Sequence, residues 1–316
     1  QGWENTQRSY FEYASDGSWK KEELQNWDFD FWIPIEKTFY YYNEEQVLQN
    51  ETTQTYKPFY YDWMTDFLYQ FTYDDNGNLL IALSKTWSNQ TNELENSSQV
   101  INTYDDQGNH IEYLWQNWNE SSSSWLNNFR KVFVYDSLNR EIEETNQIFW
   151  NPDWLNTYQL RSTYDEMGRL EYKNRYEWFD DTWNINEQTW YIYNAQDQLH
   201  RVVKSEWNGN DWEFEERTLY TYNSDGLEEE EKYQLWDTSF EVWEDNIRTI
   251  KNYDESQNLI ERYSQSYEPS GWDNVWRWLY NYDTQNRLIN EVQQEADNED
   301  DRWENKSRNF FYHNPN

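Results

Sequence analysis

The sequence predicts an all-β chain built from tandem repeats of about 30 residues, each repeat two antiparallel strands and two turns. Three observations predict it. A Tyr followed by Asp or Asn recurs at Tyr73, Tyr104, Tyr135, Tyr164, Tyr193, Tyr222, Tyr253 and Tyr282, with weaker copies at Tyr13, Tyr42 and Tyr312. Aromatic residues accompany each Tyr at fixed, even offsets. The spacing between successive Tyr positions is 29 or 31 in nine steps and 30 in the last.

Ten residues before each Tyr stands Trp3, Trp32, Trp63, Trp125, Trp154, Trp183, Trp212, Trp243 or Trp272, with Leu94 as the one replacement and Trp303 a residue late. Fourteen residues after it stand Trp27, Tyr56, Trp87, Trp118, Phe149, Trp178, Trp207, Trp236 and Tyr267, and finally Ala296. Six residues after it Leu48, Leu79, Leu170, Leu199, Leu259 or Leu288 appears, with Trp19, His110, Glu141 and Glu228 as exceptions. Even offsets keep side chains on one face of a strand, so all three rows are expected on a single face. Segments such as T-L-Y-T-Y-N at 218–223 have strand composition. Helical spacing of three and four is absent.

Between Tyr and Leu the chain reads D-D-N-G-N, D-D-Q-G-N, D-E-M-G-R or N-S-D-G. Asp or Asn first and Gly fourth suit a type I turn whose Gly takes positive φ. The other turn absorbs the length variation. Where the period is 29 the flanking aromatics are five apart, as in Trp178 and Trp183; where it is 31 they are seven apart, as in Trp118 and Trp125. Insertions come in twos because one extra residue inside a strand would turn every later side chain over. About ten units and 21 strands follow, in a single continuous array over residues 1–316. Accumulated twist of roughly 20–25° per strand pair implies a coiled or spiral repeat sheet or solenoid.

Composition bounds the function. The formal charge is -36, with 25 Lys and Arg against 61 Asp and Glu, so binding to a phosphate backbone is disfavoured. Mean hydropathy of -1.30 resembles disordered chains, but 22 Trp, 28 Tyr and 15 Phe supply enough aromatic surface for a folded array. Cysteine is absent, and no apolar run approaches the roughly 20 residues of a membrane span. The chain begins at Gln1, as expected of a mature chain after signal-peptide removal.

T-Y-D-E-M-G-R-L at 163–170 matches the Y-x-Y-D-x-x-G-R-L pattern, and the chain resembles YD (RHS-type) repeats on that ground. The Trp-flanked second turn resembles repeats of secreted Bacteroidetes surface proteins that use type IX export. The likeness runs the whole length and is best in the Tyr-Asp-turn-Leu third of each unit. It implies an extracellular or cell-surface bacterial β array of the kind linked to adhesion or carbohydrate contact.

No residue set points to a reaction, and the expectation is a non-enzymatic protein without a cofactor. His110, His200 and His313 fall in different repeats. Asp74-Asp75, Asp105-Asp106 and Asp165-Glu166 are the places where weak Ca2+ binding is conceivable, since hard cations want several oxygen ligands. The two Trp rows are read as the structural ladder. Trp115, Trp190, Trp276 and Trp278 lie off it and are expected to be exposed, as candidate sugar-stacking platforms. Both ends stop at the same phase of the unit, which suggests end-to-end self-association into a filament. The leading expectation is therefore a secreted structural or adhesive repeat protein; the alternative is a glycan-binding module using exposed Trp and Tyr rows, with polysaccharide as the partner.

Overall fold

The computed structural model describes residues 7–13, 18–28, 31–57, 61–297 and 302–310. Trp3, Tyr312 and His313 lie outside the described residues, and of Trp27 only the backbone register is described. The fold is all-β, with 21 strands. It divides into two compact units, Gln1–Gln159 and Leu160–Asn316.

Unit 1 holds β1 (Gln7–Tyr13), β2 (Trp19–Asp28), β3 (Phe31–Tyr42), β4 (Leu48–Lys57), β5 (Asp62–Tyr73), β6 (Leu79–Ser88), β7 (Glu93–Tyr104), β8 (His110–Asn119), β9 (Ser124–Tyr135) and β10 (Glu141–Trp150). The boundary falls inside β11 (Asp153–Tyr164). Unit 2 continues with β12 (Leu170–Phe179), β13 (Thr182–Tyr193), β14 (Leu199–Trp207), β15 (Trp212–Tyr222) and β16 (Glu228–Asp237). It ends with β17 (Val242–Tyr253), β18 (Leu259–Glu268), β19 (Gly271–Tyr282), β20 (Leu288–Asp297) and β21 (Arg302–Phe310). Within each unit every described pairing is antiparallel and joins chain neighbours, from β1–β2 to β9–β10 and from β12–β13 to β20–β21. Each is a meander one layer thick.

A single layer leaves no interior. The one apolar side chain that is buried among the described residues is Val203, at 8% exposure, and no large side chain is fully enclosed. Stability must come from cross-strand pairs on both surfaces, each contributing roughly 0.2–1 kcal/mol.

The Tyr-Asp turns form as the residues dictate. Gly77, Gly108, Gly168 and Gly226 take φ of 80 to 85°, and Gln46, Asn139, Asp197, Gln257 and Asn286 take the same left-handed place at 58 to 65°. The second turns come in the two expected lengths. Phe179 pairs with Thr182, so Asp180-Asp181 alone close the hairpin, both at positive φ as a primed turn requires. Asn119 pairs with Ser124 and Asp237 with Val242, leaving four-residue loops that end in a positive-φ residue, Ser123 or Glu241.

The single-face reading of the even offsets is corrected. Tyr73 pairs with Leu79 but Thr72 pairs with Ile81, so Leu80 is an extra residue. Gln54 pairs with Thr65 but Thr53 pairs with Phe67, so Asp66 is another. The same two bulges recur in the other described hairpins, such as β14–β15 and β15–β16. Each bulge shifts the side-chain alternation by one residue. Tyr and Leu therefore occupy one face, the Tyr face, and the paired Trp rows the other, the Trp face. Two shifts per unit cancel, which returns each Tyr to the same side.

Candidate functional site

On the Trp face the two aromatic rows are directly opposed across each second turn. Trp118 and Trp125 have ring centroids 5.0 Å apart, Trp178 and Trp183 4.9 Å, Trp207 and Trp212 5.5 Å, and Trp236 and Trp243 5.0 Å, all edge to face. Phe149–Trp154 and Tyr267–Trp272 repeat the arrangement at 5.1 Å each, and Tyr56–Trp63 lie 5.5 Å apart with their rings tilted at 57°. Trp87 is opposed by Leu94, Trp27 by Trp32, and Ala296 by Trp303. This T-shaped geometry is the one ring quadrupoles favour.

A cation covers the second ring of many pairs. Lys37 Nζ lies 3.9 Å from the Trp63 centroid, and the guanidiniums of Arg130, Arg217, Arg248 and Arg277 lie 4.4 to 4.7 Å from Trp154, Trp243, Trp272 and Trp303. Each Arg also donates to a Gln on the next strand: Arg130 to Gln147 at 2.6 Å, Arg217 to Gln234 at 2.5 Å, Arg248 to Gln265 at 2.8 Å and Arg277 to Gln294 at 2.7 Å. The Gln passes the bond to Asn156, Asp245, Asn274 or Asn305. A polar row thus crosses the strands in step with the Trp pairs. Sequence reasoning missed it, although Gln recurs twelve residues after Tyr42, Tyr104, Tyr135, Tyr222, Tyr253 and Tyr282.

On the Tyr face six of the repeated Tyr are seen to use their hydroxyls. Tyr104 donates to the Leu79 carbonyl at 3.2 Å, Tyr135 to His110 at 2.9 Å, Tyr193 to Leu170 at 3.0 Å, Tyr222 to Leu199 at 2.7 Å, Tyr253 to Glu228 at 2.9 Å and Tyr282 to Leu259 at 2.9 Å. Where the register is described, at Leu79, His110, Leu199, Glu228 and Leu259, the acceptor is the residue before the bulge of the preceding repeat, where the ladder is interrupted. This explains Tyr in place of Phe. Tyr222→Phe is expected to cost about 1 kcal/mol, the usual net worth of such a bond. Faster amide hydrogen exchange in the β14–β15 hairpin would register it; unchanged exchange would show the hydroxyl to be idle.

The turn carboxylates are hydrogen-bond hubs. Asp74 Oδ1 accepts from the amides of Asn76 at 2.9 Å and Asn78 at 2.8 Å, and Oδ2 accepts from the Asn78 side chain at 2.9 Å. Asp283 accepts from the Gln285 and Arg287 amides and from the Arg287 guanidinium. Neighbouring turns are tied together by Arg169 to Asp197 at 2.7 Å, Asn109 to Asn139 at 3.2 Å, Gln198 to the Gly226 carbonyl at 3.0 Å and Asn258 to Asn286 at 3.2 Å.

These bonds hold the Asp carboxyls below their ordinary value of 3.8: the Asn78 side chain foremost for Asp74, the Arg287 amide and then its guanidinium for Asp283, which falls to about 2. Asp105, Asp136, Asp165 and Asp254 move the same way. A depressed folded value means stability that is present above the unfolded value and lost as pH falls through the folded one. Urea melts should therefore show stability falling progressively as pH drops from about 4 towards 2, and a midpoint unchanged between pH 5 and pH 2 would contradict it.

Among the described residues no three His, Asp or Glu side chains converge as metal ligands, and the first Asp of each turn already spends its oxygens on the turn. His110 sits at the Leu position between the rings of Tyr104 and Phe133, at 5.2 and 5.0 Å, and burial lowers its pKa. His200 is exposed on β14.

Of the four off-ladder tryptophans, Trp190 is exposed at 41%, with its Nε1 donating to Gln188 and its ring edge-on to Tyr172. The other three are half-buried, contrary to the expected exposure, because each has its own neighbours. Trp115 packs on Phe129 at 5.2 Å, Trp278 lies under Arg262 at 4.3 Å, and Trp276 sits 6.4 Å from Trp278. The aromatics that do stand clear, such as Phe179, Phe240, Trp150 and Tyr61, are at or beside the second turns.

No protein-family description and no curated protein matches the chain. Among solved structures, a protein with unknown function from Bacteroides fragilis is 13% identical, aligns with 40% of this chain and 92% of its own, and has a TM-score of 0.36. TcdB2-TccC3 is 12% identical over 90% of this chain and 17% of its own, also at 0.36. A porin-like protein from Bacteroides uniformis is 9% identical over 77% and 95%, at 0.33. Similarity at this level carries no argument about activity.

Proposed function

We propose that the chain is a non-enzymatic structural repeat protein of the YD-repeat type, secreted or displayed on a bacterial surface, and that copies assemble through their strands into an extracellular filament. The observation that supports it is the recurrence of one set of contacts. Tyr hydroxyl to carbonyl, turn to turn, ring to ring and Arg to Trp are repeated from unit to unit with nearly constant distances. Repeats joined only to their neighbours share load along the array, and the residues that recur are those that make the joints. The acidic surface favours solubility and keeps unassembled copies apart.

The glycan-binding alternative has one observation in its favour, the exposure of Trp190 and of the turn aromatics Phe179 and Phe240. Electron microscopy and light scattering of purified chain test the assembly. Elongated particles that grow with concentration are expected; stable monomers at high concentration would overturn it.

A further inference from the structure

The Tyr face of unit 1 has an apolar patch where other repeats carry acids. On β9, β10 and the part of β11 in this unit it exposes Leu126, Ile148 and Leu155 at 45 to 47% and Trp150 at 72%. Each is the sequence neighbour of a Trp-face aromatic, Trp125, Phe149 or Trp154, so strand alternation turns it to the Tyr face. The register sets Ile148 opposite Phe129, whose ring packs on Trp115 at 5.2 Å and carries the patch inward.

The place that Leu126 and Leu155 hold, directly after the ladder Trp, is taken by Glu213, Glu244, Asp273 and Glu304 in later repeats. The place of Ile148 is taken by Glu177, Glu206 and Glu295, and that of Trp150 by Asp237, Glu268 and Asp297. The loss of charge runs through the whole segment. Between Tyr113 and Phe129 the only charged residue is Glu120, and between Thr145 and Gln159 it is Asp153, in a chain of formal charge -36. Lys131 and Glu144 beside the patch neutralise each other at 2.9 Å. One exposed apolar side chain is ordinary. Here they adjoin on neighbouring strands, where the acids that hold copies apart are missing.

We propose that this patch is where a second copy of the chain docks, face to face about a twofold axis, closing a two-layer sandwich over β9 and β10. A twofold contact sets each patch against its own equivalent, so apolar groups meet apolar groups. The occupant follows from charge. Elsewhere an approach brings acidic surfaces together, and like charges in contact are costly. At this patch two chains of charge -36 can meet without opposing carboxylates. A cationic partner would be drawn to the acid-rich repeats instead. A single sheet layer gains an interior only from a second layer. The inference rests on the self-assembly proposed above and specifies a contact through a sheet face, separate from growth through strand edges.

The test is sedimentation velocity of the full chain over a range of concentrations, with electron microscopy of the same samples. Pairing is expected, with its dissociation constant raised at least tenfold by Trp150→Glu and by Ile148→Glu while circular dichroism stays unchanged. Leu155→Asn takes their place should a charged variant misfold. Leu235→Glu adds the same charge at the equivalent of the Ile148 position in unit 2, near Asp237, Glu241 and Glu244, and should change pairing less than twofold. Equal loss in Leu235→Glu and Trp150→Glu would mean general repulsion and would overturn the proposal. So would a chain that stays monomeric and binds neutral phosphatidylcholine vesicles through Trp150. Filaments that thin to one layer in Trp150→Glu support both this contact and the filament. Closed dimers that never grow support the contact and overturn the filament, whereas growth unaffected by Trp150→Glu does the reverse. Stable monomers at every concentration overturn both.

Discussion

Trp243→Ala is expected to destabilise the β16–β17 hairpin by about 2 kcal/mol, the combined worth of an aromatic pair and a cation–π contact on a half-buried sheet face. One truncation breaks three contacts. The edge-to-face pair with Trp236 at 5.0 Å is lost, the Arg217 guanidinium loses the ring it covers at 4.5 Å, and Phe214 loses its neighbour at 5.5 Å. Arg217 keeps its bond to Gln234, so the polar row survives while the aromatic one is interrupted. In an array of nearest-neighbour joints the damage should stay local. Hydrogen exchange should show β16 and β17 opening well before strands two repeats away. Uniform loss of protection, or none, would show that the ladder is not what holds the strands.

The second large effect concerns register. Inserting one Ala between Val132 and Phe133 should abolish native pairing of β9, because Phe133 and Tyr135 would turn to the Trp face. Phe133 would leave His110, and Tyr135 would lose its bond to the His110 carbonyl. Deleting Ser121 and Ser122 together should be nearly harmless. It converts a four-residue loop into the two-residue form found at Asp180-Asp181, with a loop-length term of about 0.6 kcal/mol. Far-UV circular dichroism with urea melts separates the two. Similar stability of both variants would refute the claim that register is what the repeat protects.

Much of this was legible in the sequence. The Tyr-Asp period located the turns, the Gly and Asn positions gave their geometry, and the two-residue steps placed the insertions. Direct opposition of Trp178 with Trp183 follows from the same arithmetic. The division into two faces was hidden, because a bulge adds a residue to one strand only and leaves the count along the chain even. Thus Trp63 and Tyr73, ten residues apart, end on opposite surfaces across the extra Asp66. The Arg–Gln–Asn row escaped notice for another reason: its residues are polar, and polar periodicity looks like solvated surface until distances show each side chain used. Trp278 was misjudged because the count along the chain does not reveal Arg262 on the adjacent strand.

The central claim is that the aromatic rows bind strand to strand and not to a ligand. It is tested most directly by titrating the chain's tryptophan fluorescence with a panel of polysaccharides. Rings covered by a partner ring and a guanidinium should give no saturable change across the panel. Saturable quenching by any one polysaccharide would contradict the account and make the Trp face a binding surface.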